Sequence, residues 1–202
     1  MWKNFDPTPY DATGFLAHVA ALDFSAWETD PHARSKRPLF IVLHNTSAPT
    51  LAQWVEMGPA HDARLHNLQN YYEGMGWHAG PHYFVSRAHI NGFSDPVRPG
   101  VHASCFNGVS IGIEMAGEYN VEAFDSGDGA QVRDMAVLAL AALHNKLGLE
   151  PLPFSHGVCG LHFHRDCVQD HHDCPGSNVH RDDVIARVQA KMAELKAQAP
   201  SA

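Results

Sequence analysis

The segment His162-Phe163-His164-Arg165-Asp166-Cys167-Val168-Gln169-Asp170-His171-His172-Asp173-Cys174-Pro175-Gly176 places four histidines and two cysteines within fifteen positions. Packing does not call for such a density, whereas imidazole and thiolate are the preferred ligands of Zn²⁺. A hydrolytic zinc site takes three protein ligands and leaves the fourth position to water; a structural site closes with four. Spacing alone leaves the third ligand and the choice of histidine open, and a polar surface loop is the competing reading. There is no His-Glu-x-x-His to set two imidazoles one helical turn apart, which argues against an ordinary zincin protease.

Any further ligand has to be carried in by the surrounding elements. Leu39-Phe40-Ile41-Val42-Leu43 is a short apolar, partly β-branched run, as expected of a strand buried on both faces. It ends on His44-Asn45-Thr46-Ser47, and a polar cluster at the end of a buried strand is where an open α/β sheet places its chemistry. Gly80 to Val85 reads as another strand, and Ile90-Asn91-Gly92-Phe93 carries an Asn-Gly hairpin signal. Val109 to Met115 alternates in the strand manner, so Glu114 faces away from Ile111, Ile113 and Met115.

Helical periodicity covers residues 61 to 75, Gln131 to Leu147 with Gly148 as its C-cap, and about Asp182 to Lys196. Residues 1–37 read as an N-terminal helical extension in which Phe15, Leu16, Val19 and Leu22 share a face and Asp11 or Thr13 caps the start. The expected fold is α/β: a single domain with a central mixed β-sheet flanked by helices, built from residues 38–196, with a tail at 197–202.

At 202 residues, 45% of them hydrophobic, the chain suffices for one substantial core. The net charge of -8 argues against a nucleic-acid partner and gives no attraction to an anionic membrane. Residues 1–6 lack the charged and apolar regions of a secretory signal, and no run reaches transmembrane length. The chain is therefore expected to be cytoplasmic as synthesised and monomeric, reaching any cell-wall substrate by release or delivery. Four cysteines, none in a Cys-x-x-Cys pair, are too sparse for a disulfide scaffold. Cys105, Cys159 and Cys167 read as structural or incidental thiols.

Five pieces then stand in one order: Ile41 to Ser47, Gly76-Trp77-His78-Ala79-Gly80-Pro81-His82-Tyr83-Phe84-Val85, Gly100-Val101-His102-Ala103, Asn107 to Gly117, and His164 to Gly176. Each is weak alone. Together they resemble the zinc-dependent N-acetylmuramoyl-L-alanine amidases, the family of phage amidase endolysins, cell-wall-recycling amidases and animal peptidoglycan-recognition proteins. The resemblance covers about residues 38 to 190.

It implies the amidase fold, a Zn²⁺ cofactor, and a peptidoglycan or muropeptide substrate cut between N-acetylmuramic acid and L-alanine. Carried over by position, it implies His44, His164 and Cys174 as metal ligands, with His164 preferred to His162. Glu114 falls where catalytic members carry the general base, and His172 where many carry a lysine that steadies the oxyanion. Pro81 stands where some relatives have a tyrosine. His82 and His102 are expected as groove-wall or supporting groups, and Asn107 and Ser110 as groups orienting the strand of Glu114. Two alternatives remain beside this reading: a peptidoglycan-binding module without activity, and a zinc peptidase acting on another amide.

Overall fold

The computed structural model describes residues 5–56, 61–153, 160–170 and 173–198. Six strands form one sheet: β1 (Pro9–Tyr10), β2 (Phe40–Asn45), β3 (Tyr83–Val85), β4 (Ile90–Gly92), β5 (Ser110–Met115) and β6 (Gly160–Phe163), in the spatial order β1-β4-β3-β5-β2-β6. β3, β5, β2 and β6 run parallel, while β4 and β1 add antiparallel at one edge. The sheet is thus mixed, as the interleaving of strand and helix patterns implied.

Alternation along the parallel strands gives the sheet two different faces. Ile41, Leu43, Ile111, Ile113, Met115, Leu161 and Phe163 all point to one side and are fully buried. They pack under α5 (Gly127–Leu147), whose Val132, Ala136, Ala139, Leu140 and Leu143 form the opposing stripe. α5 ends at Gly148, whose φ of 65° lets its N–H reach back to the last carbonyls of the helix. α6 (Arg181–Gln198) joins the same core through Val184 and Val188.

α1 (Ala12–Ala21) joins this core too. The Asp11 carboxylate accepts from Gly14 N–H at 2.7 Å and caps it, and Phe15 and Val19 are buried. β1 just before it pairs with β4, so the first described residues are built into both the sheet and the core. No described helix is long and apolar enough to cross a membrane.

To the second face point Phe40, Val42, His44 and Glu114. α2 (Ser25–Glu28) lies ahead of β2, and α3 (Leu51–Glu56) and α4 (His61–Gly74) follow it. Trp54, Leu65, Phe84, Phe93 and Ala116 make a satellite cluster over one part of this face. Phe40, Val42, Ala103, Phe106 and Cys167 make a second, under the 3₁₀ turn Ser104–Phe106.

Two expectations need correction. Asn91-Gly92 lies within β4 and is not a turn; the chain reverses at 86–89, where Ser86 N–H donates to His89 C=O at 2.9 Å. Gly92 is there because the chain passes close by: a Cβ would stand 2.3 Å from the Asp6 carbonyl oxygen. Cys105 and Cys167, expected as thiols, are joined in a disulfide with Cα atoms 6.0 Å apart. Packing of the 3₁₀ turn onto Phe40 and Val42 brings these residues together across 62 positions, which sequence spacing does not reveal. Cys159 lies outside the described residues.

Candidate active site

β2 pairs with β5 in a register that sets His44 opposite Glu114. β2 pairs with β6 as far as Leu43 opposite Phe163, so the next residues, His44 and His164, stand abreast. Leu43, Ile113 and Phe163 point into the α5 core, so strand alternation turns His44, Glu114 and His164 to the other face at the carboxyl ends of three adjacent strands. This is the edge at which open parallel sheets bind ligands.

Cys174 reaches the same spot by a loop. Arg165 N–H donates to the Cys174 carbonyl at 3.0 Å, which ties the loop to the turn holding His164. Beyond it Gly176, at φ 106°, lies so close to Tyr119 that a Cβ would be 2.5 Å from its backbone carbon. Asn178 N–H donates to Tyr119 C=O at 2.9 Å and holds the return. One ligand atom each of His44, His164 and Cys174 then lies within 4.8 Å of the others. His162 sits two residues deeper on the same face, stacked on Phe40 with ring centroids 3.9 Å apart, outside this group. His171 and His172 lie outside the described residues.

The cluster opens into a cleft of about 650 Å³, lined among others by Thr46, Tyr71, Tyr72, Trp77, Val101, Asn107, Glu114 and Asp170. Burial pushes the Glu114 carboxyl up to about 8. Burial, and then the Glu114 charge, raises the Tyr72 phenol. The Cys174 thiol is raised well above its usual range, first by burial and then by Glu114, although Asn45 N–H donates to its Sγ at 3.3 Å. A thiol so placed ionises when a cation supplies the missing charge, and two imidazoles with one thiol are the donor set that a divalent zinc ion takes.

His82 and His102 stand next to each other, with ring centroids 5.7 Å apart. His82 is fully buried: its Nδ1 accepts from Gly112 N–H at 2.9 Å, and its Nε2 donates to Arg98 C=O at 2.9 Å. Burial lowers its pKa to about 4, so the ring is neutral. His102 lies over Gly112, where a Cβ would stand 2.5 Å from its ring; glycine in β5 makes the space for it. Its Nδ1 is 3.0 Å from His44 Nε2.

Some roles differ from expectation. Asn107 does not orient β5: its side-chain carbonyl accepts from His102 N–H at 2.9 Å and Ala103 N–H at 2.8 Å, holding the loop that carries His102. The Ser110 hydroxyl, at the start of β5 itself, does anchor that strand, donating to Phe106 C=O at 2.8 Å. Asp170 was not singled out from sequence, yet its carboxylate is 2.9 Å from His164 Nε2. The signal available was chemical, since a metal-binding imidazole usually donates the N–H of its other ring nitrogen to a carboxylate, a backbone carbonyl or water. Asp166, Asp170 and Asp173 all stood near enough in sequence, and only the fold separates them. Asp166 instead pairs with Arg181 at 2.6 Å.

The architecture defines a class: a mixed α/β domain with a His, His, Cys cluster and a buried carboxylate at the ends of neighbouring parallel strands. The family model described as "N-acetylmuramoyl-L-alanine amidase" matches residues 34–177, and the chain belongs to that family. Its enzyme type is accordingly an N-acetylmuramoyl-L-alanine amidase. Among solved structures, the endolysin N-acetylmuramoyl-L-alanine amidase LysCS of Clostridium intestinale is similar over 76% of this chain and 84% of its own, at 21% identity and a TM-score of 0.55. The Staphylococcus aureus hydrolase AmiA, solved with its ligand, is similar over 81% of this chain and 77% of its own, at 15% identity and a TM-score of 0.58. At such identities these likenesses speak to the fold. No curated protein matches the chain.

Proposed function

We propose that this amidase is zinc-dependent and that its substrate is peptidoglycan or a muropeptide, cut between the lactyl carbonyl of N-acetylmuramic acid and L-alanine. The observation that carries this reading is the placement of His44, Glu114 and His164 side by side at three strand ends with Cys174 folded against them. His44, His164 and Cys174 would hold the ion. Bound there, Zn²⁺ acidifies water and polarises a carbonyl.

The remaining work falls to the chain's own groups. Glu114 takes the proton of the attacking water on its carboxylate and later gives it to the departing amine of L-alanine. Its apolar setting favours the protonated form, which suits the second of these steps. His172, two residues before Cys174 in sequence, is proposed as a donor to the oxyanion. Tyr71, Tyr72 and Trp77 offer aromatic surface on the cleft wall for the substrate. The catalytic domain is proposed to span residues 38–196.

The test combines metal analysis with mass spectrometry of digests of purified sacculi and of soluble muropeptides. About one zinc per chain and release of intact stem peptides beginning with L-alanine are expected. Zinc-loaded protein that retains muropeptide without cleaving it would make the chain a binding module. Cleavage within the stem peptide instead would make it a peptidase.

A further inference from the structure

Resting on the zinc reading above, we propose that the single loop 101–107 fixes the tautomers of both imidazoles in the cluster. His102 acts directly on His44, and Ser104 acts on His164 through Asp170; all three are positioning residues.

The first relay follows from counting protons. The Ser110 hydroxyl has one hydrogen, given to Phe106 C=O at 2.8 Å. Toward the His102 Nε2 atom, 3.4 Å away, Ser110 can therefore only accept, so the proton of neutral His102 resides on Nε2. Among the described residues, the hydrogen-bond partners of that ring include no carboxylate to hold a second proton on it. Its Nδ1 is then an acceptor, and the partner 3.0 Å away, His44 Nε2, is the donor. A neutral His44 that carries its proton on Nε2 presents the lone pair of Nδ1 for coordination.

The second relay reaches the same outcome by different chemistry. The Asp170 carboxylate accepts from His164 Nε2 at 2.9 Å, which in the neutral ring leaves the lone pair on Nδ1. The other carboxylate oxygen accepts from the Ser104 hydroxyl, which holds the carboxylate in place. His102 and Ser104 are two residues apart. Asn107 pins the first through backbone N–H groups, and the Cys105–Cys167 disulfide ties the loop to the residue following the His164–Asp166 turn. Both ligand orientations thus depend on one short, cross-braced segment.

The test uses the full chain, zinc-loaded and after removal of metal with a chelator. Zinc affinity is measured by competition with a chromophoric chelator, and the tautomers of His44 and His164 by ¹⁵N NMR of the imidazoles. In the metal-free wild type both rings are expected as Nε2–H tautomers. His102→Phe should shift the His44 signals toward a mixture, leave His164 unchanged, and weaken zinc binding about 10- to 100-fold. His102→Gln, whose side-chain carbonyl can still accept, should recover most of that loss. Asp170→Ala should do to His164 what His102→Phe does to His44, and Ser104→Ala should do the same more weakly.

An unchanged His44 tautomer with unchanged zinc affinity in a folded His102→Phe protein would overturn the proposal. If that variant does not fold, His102→Gln and Asp170→Ala decide by the same two readouts. A wild type that takes up no zinc but shows both Nε2–H tautomers would refute the metal reading while the relays stand; Nδ1–H tautomers would refute the relays.

Discussion

Glu114→Gln separates what the carboxyl does for catalysis from what it does to the fold. Glutamine keeps the shape but neither takes a proton nor carries charge, so turnover should fall about 10²- to 10⁴-fold. In metal-free protein the same change should stabilise. The carboxyl titrates near 4.5 when unfolded and at about 8 in the fold. Below pH 4.5 both states are protonated and there is no penalty. As pH rises the unfolded chain ionises first, so stability falls between 4.5 and about 8 and is constant above. At about 1.36 kcal/mol per pH unit the ceiling is about 5 kcal/mol above pH 8. The residue keeps an opening to the cleft, and water there screens part of this. About 2 kcal/mol is a working figure at pH 8, equivalent to about 4–8 °C in melting temperature for a chain of this size. Calorimetry of metal-free wild type and Glu114→Gln at pH 5 and pH 8 is the assay: the variant should melt higher at pH 8 and nearly level at pH 5. Zinc should shrink the difference, because a nearby cation favours the ionised carboxylate. An equal or lower melting temperature at pH 8 would refute the burial argument, and near wild-type turnover with zinc bound would refute the general-base assignment.

Cys174→Ala should lose both zinc and activity, read by metal analysis and muropeptide digestion, because two imidazoles alone hold the ion poorly; full occupancy in that variant would remove Cys174 from the ligand set. Phe15→Ala should cost about 3–5 kcal/mol by calorimetry, since a fully buried ring leaves a cavity in the main core; an unchanged melting temperature would mean that α1 does not pack as described. Replacing Cys105 and Cys167 together by serine should lower stability by as much as about 4 kcal/mol, the loop-closure value for their separation of 62 residues, seen as an earlier urea midpoint. Free-thiol titration finding both cysteines reduced in native protein would contradict the crosslink.

The parts of the fold that were legible in the sequence are those in which one face meets a core. β5 shows why: Ile111, Ile113 and Met115 are each fully buried against α5, so their alternation fixes which way Glu114 points before any neighbour is known. α5 and its Gly148 cap were legible for the same reason, since a long apolar stripe ending in glycine has few other solutions. Asn91-Gly92 misled because the sequence does not record that Asp6 runs alongside β4, and close backbone approach calls for glycine as surely as a turn does.

The same distinction applies at the site. His44 and Glu114 sit at the ends of patterned strands, where local sequence dictates both position and direction. Asp170, Ser104 and the Cys105–Cys167 pair sit on irregular loops, where partners are set by which loops meet. The group that brings those loops together is the apolar cluster of Phe40, Val42, Ala103, Phe106 and Cys167 beneath them. Burying that cluster places the turn Ser104–Phe106 against the segment after β6, and the contact of Ser104 with Asp170 follows. Polar contacts that steer the two imidazoles are therefore a by-product of hydrophobic packing one layer below. A substitution such as Phe106→Ala, remote from the cleft chemistry, should accordingly loosen His164 and His102 together, appearing as weaker zinc binding alongside the lower melting temperature. A fall in melting temperature with zinc affinity intact would show that the loop holds its shape without the cluster.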